Sequence, residues 1–68
     1  MELKFCERLK ELRLEKGMGQ IELANRLGVS KSSISIWEKG ESYPSIISLY
    51  YIAKFFNVSA DYLLGLND

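Results

Sequence analysis

The sequence predicts an all-α fold of five short helices, and three observations carry that prediction. Apolar residues recur at three- and four-residue spacing along five stretches, while no useful length alternates apolar with polar residues at period two. Glycines close four of the stretches, at Gly17, Gly28, Gly40 and Gly65. Serines stand immediately before three of them, at Ser30, Ser45 and Ser59, where a hydroxyl can accept the orphan amide protons of a first helical turn. No repeat, linker or low-complexity run breaks the pattern, so one domain is expected over residues 1–68.

The first helix is expected near residues 2–15, with Phe5, Leu9 and Leu12 at i, i+4 and i+7 and Cys6 beside them. Its charges, Arg8 and Glu11 among them, read as an ordinary solvated i, i+3 and i, i+4 network. Gly19 takes the cap position before a second helix over 20–27, whose inward residues are Leu23, Ala24 and Leu27. Ser30 opens a third over 31–38. Ser45 opens a fourth over 46–56, with Leu49, Ile52, Ala53 and Phe56 on its core face, and Ser59 opens a fifth over 60–64. Met18 with Leu23, Val29 with Ile34 and Val58 with Leu63 flank the caps at the spacing of a hydrophobic staple.

Composition narrows the function. The 68 residues hold nine Lys and Arg against nine Asp and Glu, one Cys and no His. Cys6 alone closes no intrachain disulfide, reads as a small buried hydrophobe, and leaves no His or second Cys for a metal site, so neither metal nor cofactor is expected. With no His, no Ser or Cys beside a plausible base and no phosphate-cradling Gly loop, the chain is not expected to be an enzyme. Five short helices leave no second domain for an effector pocket, so no small-molecule effector is expected. The longest uncharged run, Ser42 to Ala53, is broken by serines and a proline and falls short of the ~20 apolar residues of a membrane span. A lone thiol and an N-terminal stretch that mixes charged with apolar residues point to the cytoplasm. At this length only ~60% of the unfolded chain's surface is buried on folding, which makes a partner subunit valuable. Charge divides unevenly: residues 1–40 carry +2 and residues 41–68 carry −2, so an anionic partner should meet the N-terminal part.

Gln20 to Lys39 has the dimensions of a helix-turn-helix, two short helices around the turn Gly28-Val29-Ser30. Along the second of these helices Ile34, Trp37 and Glu38 share one face, and Ser32, Ser35, Ile36 and Lys39 share the other. Serines lower helix propensity on a solvated face but let a helix axis approach another surface closely, which favours docking. Ile36 lies about 160° from the mean direction of Ile34 and Trp37, so it is expected at that docked surface and not in the core.

Together these segments resemble the Cro/Xre-like helix-turn-helix family of phage repressors and bacterial transcriptional regulators. The likeness runs through Arg8-Leu9-Lys10-Glu11-Leu12-Arg13, Gln20-Ile21-Glu22-Leu23-Ala24, the whole of Gly28 to Gly40, Pro44-Ser45, and Asn57 to Gly65. It implies a compact five-helix repressor-like domain that binds a double-stranded DNA operator through the major groove, with its helix-turn-helix formed by helices 2 and 3. The resemblance places Gln20 near a phosphate or base edge, and Lys31, Ser32, Ser35 and Ile36 at the groove. Lys10, Lys31 and Lys39 are the expected phosphate contacts. It also pairs Arg13 with Glu38 inside the domain, where spacing alone leaves a buried bridge and two separate surface charges both open. Two positions depart from the family pattern: Gly19 stands where a Ser, Thr or Asn cap is usual, and Ile36 replaces a polar or basic reader.

Helix 4 is more apolar than its core face requires. Ile47, Tyr51 and Phe55 recur at i, i+4 and i+8 opposite Leu49, Ile52 and Phe56, and Tyr62 and Leu66 can extend the stripe. Such a stripe reads as a contact surface, expected to join two copies into a homodimer on a palindromic operator. The alternative is a different protein partner, as for an antitoxin or accessory subunit, with DNA contact secondary.

Overall fold

The computed structural model describes residues 3–66, and among them the chain forms five helices and no strand. These are α1 (Phe5–Glu15), α2 (Gln20–Leu27), α3 (Lys31–Lys39), α4 (Ile46–Phe56) and α5 (Ala60–Leu64). None is long and apolar enough to cross a membrane.

The three serine caps act as their position implies. Ser30, Ser45 and Ser59 each hold an extended backbone and accept a hydrogen bond from the amide three residues on, at Ser33, Ser48 and Tyr62. Gly19 has the same extended backbone but no side chain to offer, so the first turn of α2 keeps its amides free of a side-chain cap. Asn57 ends α4 in the left-handed region at φ 56°, passing its amide to Lys54 O and the amide of Val58 to Ala53 O. Asparagine is the residue after glycine that tolerates this conformation best, because its short amide can bond locally.

Two boundaries differ from expectation. Helix α3 runs one residue further, through Lys39, before Gly40 turns the chain. Helix α1 starts at Phe5, later than the expected residue 2, and residues 1 and 2 lie outside the described part. Lys4 is the cap residue: its backbone, at φ −96° and ψ 9°, lies outside the helical region while its carbonyl accepts the first intrahelical bond, from the Arg8 amide, and its own amide, which has no intrahelical partner, donates to the carbonyl of Leu64.

Each helix delivers residues to one core. Phe5 and Leu9 of α1 meet Leu23 and Ala24 of α2, Ile34 and Trp37 of α3, Ile52 and Phe56 of α4, and Leu63 of α5, with Met18 from the α1–α2 turn. Both members of each staple pair lie in or against this cluster. Phe5 meets Trp37 edge to face at 6.5 Å between ring centres. Helix α3 is central, packed on both α1 and α2, while α4 braces α2 and α5 returns to α1. Arg8 closes that return: its guanidinium lies 4.3 Å from the centre of the Tyr62 ring and donates to the Tyr62 carbonyl.

Candidate nucleic-acid interface

The orientation of α3 is fixed from its inner side. Ile34 is fully buried and Trp37 nearly so, and the third inward residue, Glu38, is locked by Arg13. The Arg13 Nε donates to Glu38 Oε2 at 2.7 Å and Nη2 donates to Oε1 at 3.0 Å, a two-pronged fork matched to the plane of the carboxylate. Nη1 donates to the Met18 carbonyl at 2.8 Å. The side chains of the pair are only 9% and 5% exposed, yet among the described residues no buried side-chain nitrogen or oxygen lacks a partner. The hydrogen bond to Glu38 raises the Arg13 pKa above its ordinary value, burial pulling in the opposite direction. One arginine thus joins α1, the α1–α2 turn and α3.

The same carboxylate reaches α2. Gln20 Nε2 donates to Glu38 Oε1 at 3.1 Å, so the half-buried side chain at the start of α2 is held by the helix that follows. Sequence reasoning missed both the Gln20 tie and the Met18 carbonyl. Neither has a sequence signal beyond the residue types, because each depends on how a turn brings two helices together.

With Ile34, Trp37 and Glu38 turned inward, the opposite face of α3 is open. Lys31, Ser32, Ile36 and Lys39 are exposed and Ser35 is half-buried; Ile36 stands at 36% exposure. That face carries short side chains and two cations, while the one carboxylate of α3 is consumed in the fork. Lys10 is exposed on α1 and Gln20 sits at the uncapped start of α2, so the seven predicted contact residues come from three helices. A helix start with free amides beside an amide side chain suits an anion such as phosphate.

The stripe on α4 is less uniform than its spacing predicts. Ile47 at 69% and Tyr51 at 57% are exposed, and Ile46 and Tyr50 join them. Phe55 departs from the expectation: it is half-buried against the core, edge to face with Phe56 and beneath Lys16, whose Nζ lies 5.7 Å from its ring centre. Tyr62 departs as well, half-buried under Arg8. Cations from other elements cover both rings, which a helical wheel cannot register. Leu66 is exposed.

A family model described as "Helix-turn-helix" matches residues 9–63. The chain is 47% identical over 63 residues to the HTH-type transcriptional activator BcrR of Enterococcus faecalis, covering 93% of this chain and 31% of BcrR. It is 35% identical over 54 residues to the cryptic phage CTXphi transcriptional repressor RstR of Vibrio cholerae, covering 79% of this chain and 49% of RstR. It therefore spans only a third to a half of these relatives. Among solved structures, the P22 c2 repressor in complex with a synthetic operator superposes with a TM-score of 0.88 at 33% identity, over 98% of this chain and 100% of that one. SinR in complex with DNA superposes with a TM-score of 0.80 at 38% identity, over 88% of this chain and 97% of that one. With the fork-anchored α3 presented by helices in this order, the chain belongs to the Cro/Xre-type helix-turn-helix family.

Proposed function

We propose that this chain is the DNA-reading domain of a transcriptional regulator and performs no catalysis. It binds double-stranded DNA with α3 in the major groove. The observation that carries the reading is the two-sided construction of α3: the inner face is held by Ile34, Trp37 and the Arg13–Glu38 fork, while the outer face offers Lys31, Ser32, Ser35, Ile36 and Lys39 without a carboxylate among them. A helix can be read against base edges only if its axis comes close, and short side chains on a rigidly seated helix permit that. The cations of Lys10, Lys31 and Lys39, with the open amides of α2 and the Gln20 side chain, account for phosphate contacts. Relatives of the same fold bound to operator and DNA support this reading.

Regulators that read a palindrome need two such helices one helical turn apart, ~34 Å. Each domain is 29 Å in its longest dimension, so two copies side by side extend over a length that can hold two α3 helices at that separation, the position of the two-fold axis setting the distance. Ile47 and Tyr51 on α4, with Leu66 and the exposed edges of Phe55 and Tyr62, form the surface through which we propose they meet.

Selection from random duplexes followed by a salt titration tests the proposal. A defined half-site should emerge, and log affinity should fall with log salt at a slope of about 0.9 per phosphate neutralised. Equal affinity for selected and random duplexes overturns it.

A further inference from the structure

A second surface lies between α2 and α4. Arg26 and Leu27 from one helix and Tyr51, Lys54 and Phe55 from the other line an open groove of about 290 Å³. Its floor is apolar, since Leu27 and Phe55 are half-buried and packed on the core. Its rim is cationic. Arg26 and Lys54 stand on opposite sides, and Lys16 lies over the Phe55 ring. No lining residue bears a carboxylate; Glu22 reaches Arg26 at 3.8 Å one turn away, with both side chains more than half exposed, so that pair is loose and easily exchanged.

Cations around a half-exposed apolar floor select their occupant by two properties at once. A phosphate backbone would use the rim and leave the floor in water. A second copy set groove to groove is disfavoured by symmetry: a two-fold contact would bring two linings together that each carry Arg26 and Lys54 and no carboxylate. An acidic amphipathic helix satisfies both, laying an apolar side chain on the floor while carboxylates a turn to either side meet the rim. We propose that the α2–α4 groove is a docking site for an acidic amphipathic segment of a different protein, with an apolar anchor on Leu27 and Phe55 and carboxylates on Lys16, Arg26 and Lys54. This site does not depend on DNA binding. It shares only Tyr51 and the edge of Phe55 with the surface proposed to join two copies.

The groove has a built-in reporter. Leu27 and Tyr51 also line a small cavity with Val29, Trp37, Ser48 and Ile52, and Trp37 is the sole tryptophan of the chain. The probe is a synthetic helical peptide with Leu and Phe one turn apart on one face and Glu on both flanks. Two control peptides replace Glu with Lys, or Leu and Phe with Ser. At low salt the acidic amphipathic peptide should shift Trp37 emission saturably, and both controls should bind roughly tenfold or more weakly. The variant R26E/K54E, which changes only exposed side chains, should weaken the peptide by a similar factor and keep a single cooperative thermal unfolding transition. Equal binding of the three peptides, or undiminished binding to the variant, overturns the proposal. If the variant instead loses affinity for a selected duplex, or loses self-association, while the peptide is unaffected, the groove belongs to DNA or to a second copy and the proposal fails.

Discussion

Arg13 shows how much one side chain can decide. Its three donor groups join α1, the Met18 carbonyl and Glu38, and Glu38 in turn holds Gln20. Removing the charge of one partner in so enclosed a pair leaves the other uncompensated, at a cost of ~3 to 5 kcal/mol. Glu38→Gln is therefore expected to lower stability in chemical denaturation by about that amount, while Glu41→Gln, on an exposed residue, changes it by ~0.5 kcal/mol or less. Because the hydrogen bond to Glu38 raises the folded-state pKa of Arg13 above its unfolded value, the stabilisation is fully present below the unfolded value and is lost only as pH rises through the folded-state one. Arg13 is a constant fixture, not a switch near neutrality. Ile36 is the opposite kind of residue, set on the outer face of α3. Ile36→Ala is expected to leave thermal stability nearly unchanged, to weaken operator binding by ~1 to 3 kcal/mol, and to relax preference at one A·T position, where the thymine methyl is the apolar partner. Equilibrium unfolding together with a base-by-base substitution series checks both halves.

Among the helices, three starts rest on one hydroxyl each. Ser30→Ala, Ser45→Ala and Ser59→Ala should each cost ~1 kcal/mol in thermal unfolding, and Gly19→Ser, at a site with open space for a side chain, should gain a few tenths. These starts were legible because capping is local: the signal and its consequence lie within four residues. The inward face of α3 was legible for the same reason, since a period of 3.6 separates Ile34 and Trp37 from Ser32 and Ile36. What the sequence does not display is contact between distant segments. The Lys4 amide reaches the carbonyl of Leu64 near the other end of the chain, Phe55 packs against the core, and Lys16 and Arg8 from other elements lie over the Phe55 and Tyr62 rings. The left-handed end of α4 had a usable signal in Asn57, although glycine is the commoner mark.

At the scale of the molecule, self-association and DNA reading are expected to rise and fall together. Ile47→Glu combined with Tyr51→Glu alters two exposed residues of α4, so the fold should survive, while sedimentation should show monomers and affinity for a two-half-site operator should drop toward that for a single half-site. A double variant that still sediments as a dimer assigns the stripe another purpose. The clasp between α1 and α5 has a different consequence. Lys4 and Leu64 are hydrogen-bonded neighbours although almost the whole chain separates them, so the order of the helices along the polypeptide is not essential to their arrangement in space. A circular permutant that joins the two ends by a short flexible linker and opens in the exposed stretch at residues 41–43 should recover the same circular dichroism spectrum and the same selected half-site. The backbone connection between α3 and α4 would then be replaceable by one between α5 and α1, which the clasp already holds together.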